Sequence, residues 1–137
     1  MKSNLPAELL QAYLETDYFV SDDPPLMLRI GEENDDAKIL LASFGVTTSA
    51  LITAWNPGSE VLSEDENDSR QAALLGEIES KRLNYLVGYG ERQDWLEYSY
   101  LVLGITRDEA NELAEQFGQN AYVWIDQQGV PELITLA

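Results

Sequence analysis

Two short stretches fix where helices must begin. Ser63-Glu64-Asp65-Glu66 and Thr106-Arg107-Asp108-Glu109 each fit the S/T-x-x-E capping box. In that box the hydroxyl accepts from the backbone three residues on, and the glutamate reaches back to the cap. Each box lies between apolar runs, so helices must alternate with strands. The first helix is expected to run to about Arg82, where Lys81 and Arg82 suit the negative helix end. The second carries the stripe Ala110, Leu113, Ala114 and Phe117 and closes at Gly118.

The rest of the chain arranges itself around these two starts. Residues 6–16 read as a helix with Leu10, Tyr13 and Leu14 as its stripe, and Asp22-Asp23-Pro24-Pro25 breaks the chain. Residues 26–30 read as a strand. After an acidic loop, residues 37–44 form a helix with Leu40 and Phe44 inward, ended by Gly45. Residues 50–55 make a buried strand, stopped by Asn56-Pro57-Gly58. Strands follow at residues 84–88 and 96–103, joined by a turn-rich segment from Gly88 to Asp94. Residues 121–125 and 131–136 form a terminal hairpin. The expectation is one domain, residues 1–137, of the α+β class. It should hold a single mixed sheet of about five to six strands with about four helices, ending in a β-hairpin.

Composition removes several kinds of chemistry. The chain has no His and no Cys. Disulfides, zinc centres built on thiolate or imidazole, cysteine nucleophiles and Ser-His-Asp triads are therefore impossible. It carries 8 Lys+Arg against 25 Asp+Glu, a formal net charge of -17, while an apolar fraction of 45% still supplies a core. Cations scattered from Lys2 to Arg107 make no basic stripe, so direct nucleic-acid binding is not expected. No apolar run approaches the roughly 18 residues of a membrane span, and the opening Met1-Lys2-Ser3-Asn4-Leu5-Pro6 begins no apolar signal segment. A cytoplasmic protein without membrane contact is expected. The acidity either maintains solubility or faces a basic partner.

One segment stands apart as a candidate site: Thr53-Ala54-Trp55-Asn56-Pro57-Gly58-Ser59, followed by the Ser63 helix. A strand, a tight turn and a helix start bring backbone donors together, an arrangement that often builds ligand sites. On that helix Leu74 and Ile78 set the inward stripe. Counting back in steps of three and four reaches Arg70 or Gln71 and then Asn67, near the strand end carrying Asn56. Glu97 and Ser99 alternate with Leu96, Tyr98, Tyr100 and Val102, so they share the opposite sheet face. Glu97 there suits a general base or a partner for Arg70. Gln119 and Asn120, in the turn after Gly118, either point a carboxamide into the same crevice or satisfy the last carbonyls of the helix. The candidate ligand-binding set is Trp55, Asn56, Asn67, Arg70, Glu97 and Gln119. Trp55 or Trp124 would give an apolar wall, and Arg70 a fork for carboxylate or phosphate.

A structural reading competes with it. Arg70 would pair with Glu66 or Glu77, Asn56 would bond its own turn, and Trp55 would be core. No metal or other cofactor is expected. Asp65, Asn67 and Ser69 have the spacing that opens a calcium loop, but Arg70 stands at the required glycine and Gly76 at the bidentate glutamate.

Taken together, Thr53-Ala54-Trp55-Asn56-Pro57, Asn67, Glu97 and Phe117-Gly118-Gln119-Asn120-Ala121 resemble the bacterial family catalogued as domain of unknown function 3293. The resemblance covers roughly residue 50 to the C-terminus. It implies that these positions belong together, and it implies no catalytic residue, substrate or cofactor. Two functions are then expected. One is binding of a small anionic molecule or nucleotide near Asn56 and Arg70, which Arg70→Ala would abolish. The other is a non-enzymatic acidic interaction module engaging a basic protein partner, which charge reversal at Glu64, Asp65, Glu66 and Asp68 would abolish.

Overall fold

The structure, a computed structural model describing residues 5–22 and 25–136, draws one seven-stranded sheet from the whole length of the chain. In chain order the elements are α1 (Ala7–Glu15), β1 (Asp17–Val20), β2 (Leu26–Leu28), α2 (Asp35–Ser43) and β3 (Thr48–Ile52). A single 3₁₀ turn at Pro57–Ser59 leads to α3 (Glu64–Ser80), β4 (Asn84–Arg92), β5 (Trp95–Leu103), α4 (Arg107–Gln116), β6 (Ala121–Asp126) and β7 (Glu132–Thr135). Both capping boxes form: Glu66 N donates to Ser63 Oγ at 3.2 Å, and Glu109 N to Thr106 Oγ1 at 3.1 Å.

The expected sheet needs two corrections. It has seven strands rather than five to six, because Asp17–Val20 forms β1 directly after α1. Four residues with Tyr18 and Val20 buried are too few to register as a periodic signal. The sheet is also antiparallel at every pairing rather than mixed, in the order β2-β1-β4-β5-β3-β6-β7. Strand-helix-strand units normally make parallel neighbours. Here β5 inserts between β3 and β4, and β3 between β5 and β6, so each crossover is split by an antiparallel strand.

Local boundaries move for local reasons. Asn34 Oδ1 accepts from Ala37 N at 3.0 Å, so α2 starts at Asp35 and takes two acids into its first turn. β3 ends at Ile52 rather than residue 55, since the next hydroxyl, Thr53 Oγ1, bonds Tyr98 O at 2.6 Å and accepts from Trp55 N. β4 runs through the supposed turn to Arg92. Its glycines serve close approach: a Cβ at Gly88 would lie 2.7 Å from Phe19 O, and one at Gly90 3.2 Å from the Thr16 and Tyr18 side chains. The expected break at Asp22-Asp23-Pro24-Pro25 lies partly outside the described residues.

Both sheet faces are covered. Leu74 and Ile78 of α3, with Leu113 and Phe117 near α4, pack on Ile52, Val102 and Trp124. On the other face, Leu40 and Leu41 of α2 pack with Val20, Leu28, Leu101 and Ile125. Each fully buried Leu or Ile contributes about 1.5–3 kcal/mol. α1 has no fully buried residue and lies over the remainder of the α2 face. Among the described residues, no helix is long and apolar enough to cross a membrane.

Candidate functional site

Beneath α1 the sheet is not filled. A cavity of about 300 Å³ separates Leu9, Ala12 and Tyr13 of the helix from Leu51, Glu97, Ser99 and Val123 of the strands. The period of two explains why these strand residues meet. Glu97 and Ser99 continue the face that Leu101 and Leu103 use for the core, one step beyond where α2 covers it.

Glu97 is held from behind by two asparagines. Asn56 is 6% exposed and sits in the left-handed region at φ 47. A non-glycine residue there is strained and needs its surroundings to hold it. Asn67, 2% exposed on α3, does so: Asn56 N donates to Asn67 Oδ1 at 2.9 Å, and Asn67 Nδ2 donates to Asn56 Oδ1 at 2.9 Å. Leu62 N also donates to Asn56 Oδ1, at 3.0 Å. The remaining polar group, Asn56 Nδ2, donates to Glu97 Oε2 at 3.0 Å. The network thus ties a carboxyl on one sheet face to the helix covering the other.

The cavity perturbs its ionisable groups. Burial pushes the Glu97 carboxyl up to about 7, and the hydrogen bond from Asn56 offsets that only in part. Burial likewise raises the phenols of Tyr13 and Tyr18. The Ser99 hydroxyl oxygen is buried without a hydrogen-bond partner, an uncommon state for a polar atom. Arg92, on the wall, donates from Nε to Glu15 Oε1 at 3.0 Å.

Of the six expected site residues, Glu97 and Gln119 line the cavity and Asn56 and Asn67 lie behind Glu97. Trp55 is elsewhere, edge-on to Tyr98 with ring centroids 5.5 Å apart. Trp124 is core and lies under the Arg107 guanidinium. Arg70 does point inward, and its donors meet main chain: Nε bonds Ala54 O at 2.8 Å, and Nη2 bonds Phe117 O. It therefore clamps the end of β3 to the end of α4. The turns it joins are stitched further by Gly58 N to Gly118 O at 2.7 Å, Gln119 Nε2 to Trp55 O at 3.0 Å and Asn120 Nδ2 to Ser59 Oγ at 3.1 Å. The two motif segments are thus one assembly.

Tyr13, Tyr18 and Ser99 line the cavity and were not in the expected set. The signals for them were the helical spacing of Leu9, Tyr13 and Thr16 and the alternation within Asp17–Val20.

A sequence model of the family described as "Protein of unknown function (DUF3293)" matches residues 52–122. That span holds all six expected site residues, whereas the α1 wall precedes it. No curated protein and no solved structure matches the chain.

Proposed function

The chain belongs to this family of unknown function, and from that premise we propose that it binds a small, largely apolar molecule in the cavity between α1 and the sheet. The observation that carries this reading is a preorganised carboxyl inside an apolar cavity of about 300 Å³, a volume at the lower end of ligand sites. Proteins normally fill such space with side chains, and a half-buried carboxyl with a raised pKa is a common mark of a functional site. The crevice lies on the Glu97 side of Asn56, away from the Arg70 guanidinium. That favours a neutral or cationic ligand over the anion or nucleotide that Arg70 suggested. The cytoplasmic, bacterial setting expected from the sequence is kept as part of this proposal.

A fragment library screened by protein-observed NMR tests it. Bound fragments are expected to shift the amides of Ala12, Leu51, Ser99 and Val123. Ala12→Phe, on a helix with no fully buried residue, is expected to fill the space and remove those shifts while leaving the melting temperature within a few degrees. Fragments that leave all four amides unmoved, or that bind Ala12→Phe equally well, contradict the reading.

A further inference from the structure

We propose that the polar end of the ligand is a protonated amine, with its ammonium group seated against Glu97 and Ser99; this rests on the cavity being a small-molecule site. Most side-chain donors on the cavity wall already have partners within the protein. Gln119 gives its amide hydrogens to Trp55 O and Phe117 O, Asn56 gives one to Glu97 Oε2, and the Tyr18 hydroxyl donates to Tyr13 O at 3.5 Å. These donors are committed, while Arg92 gives its Nε to Glu15 and the Ser99 hydroxyl is free to donate or accept. Acceptors are left over. Among the described residues, Glu97 Oε1 receives no hydrogen bond, and Ser99 Oγ has no partner in a residue only 6% exposed.

An ammonium group supplies three donors and no acceptor, which is the complement of this surplus. Glu97 and Ser99 are two apart on one strand, so their Cα atoms are about 6.6 Å apart on the same face, close enough for one nitrogen to reach both side chains. An alcohol can donate to Glu97 Oε1 and accept from the Ser99 hydroxyl, but it lacks the charge that strengthens a hydrogen bond to the carboxylate. A carboxylate brings a second negative charge beside Glu97, where the apolar surroundings screen repulsion poorly. Arg92 is a weak counterweight, because Glu15 already pairs with it.

The remaining titratable groups whose side chains face the cavity are Tyr13 on α1, Tyr18 on β1 and Arg92 on β4, whereas the Tyr122 hydroxyl donates to Asn111 on the opposite sheet face. Burial raises both phenols, so between pH 5 and 8 the charge that changes is that of Glu97. Ammonium binding needs the carboxylate. Amine affinity should therefore fall as pH drops from 8 to 6.

Titration calorimetry and NMR with matched probes test the inference: 2-phenylethylamine, 2-phenylethanol and 3-phenylpropanoate, together with hexylamine, hexanol and hexanoate. At pH 8 the amines are expected to bind at least about ten-fold more tightly than the alcohols and carboxylates of their series. Glu97→Gln should erase that preference by weakening the amines at least about ten-fold more than the alcohols. Alcohols or carboxylates binding as tightly as amines overturn the amine assignment and leave the cavity reading standing. If no probe of any series perturbs the cavity amides, both fail.

Discussion

Glu97→Gln is expected to make the ligand-free protein more stable at pH 8, by about 3 kcal/mol, and to leave its stability nearly unchanged at pH 4. The folded carboxyl titrates near 7, against 4.5 for an ordinary glutamate, so the folded chain holds this proton more tightly than the unfolded one. Wild-type stability then declines as pH rises from 4.5 to 7, and the full loss is in place above 7. Glutamine keeps a side-chain oxygen for Asn56 Nδ2 and carries no charge to desolvate. The variant should escape the loss. Urea unfolding of both proteins at pH 4 and pH 8 measures the difference. Equal stability at pH 8, or a less stable variant, would mean that the carboxylate is comfortable in the cavity.

Asn67→Ala should act in the opposite direction and more broadly. It removes the acceptor of Asn56 N and one donor to Asn56 Oδ1, leaving a buried N–H unpaired in a strained turn. It also opens a void in α3 at a position 2% exposed. A lost pair of buried hydrogen bonds plus the void is expected to cost about 3 kcal/mol. Ser69→Ala, on the exposed side of the same helix, is the control and should stay within about 0.5 kcal/mol of wild type. A loss below about 1 kcal/mol for Asn67→Ala would mean that Asn56 needs no support from the helix.

Much of this site was legible before any coordinates, through rules that act locally. The Ser63 and Thr106 boxes set two helices, and stepping back from Leu74 and Ile78 correctly turned Asn67 and Arg70 inward. Alternation along β5 put Glu97 and Ser99 on the face opposite Val102. The missing parts depend on what meets what across the fold. Spacing aims the Arg70 side chain but does not say that the carbonyls of Ala54 and Phe117 await it. Strand order is equally nonlocal, since an inserted strand makes two crossovers antiparallel without changing any residue pattern. Gly88 and Gly90 read as a turn because the strand they crowd, β1, was itself too short to see. Periodicity also marked α1 as having an inner face without distinguishing a filled space beneath it from an empty one.

The central claim is that the asparagine pair holds a carboxyl in a place poor in water. The most direct measurement follows the side-chain carboxyl ¹³C resonance of Glu97 from pH 4 to pH 9 in the ligand-free protein. A midpoint about 7 is predicted, and a midpoint near 4.5 would contradict the account.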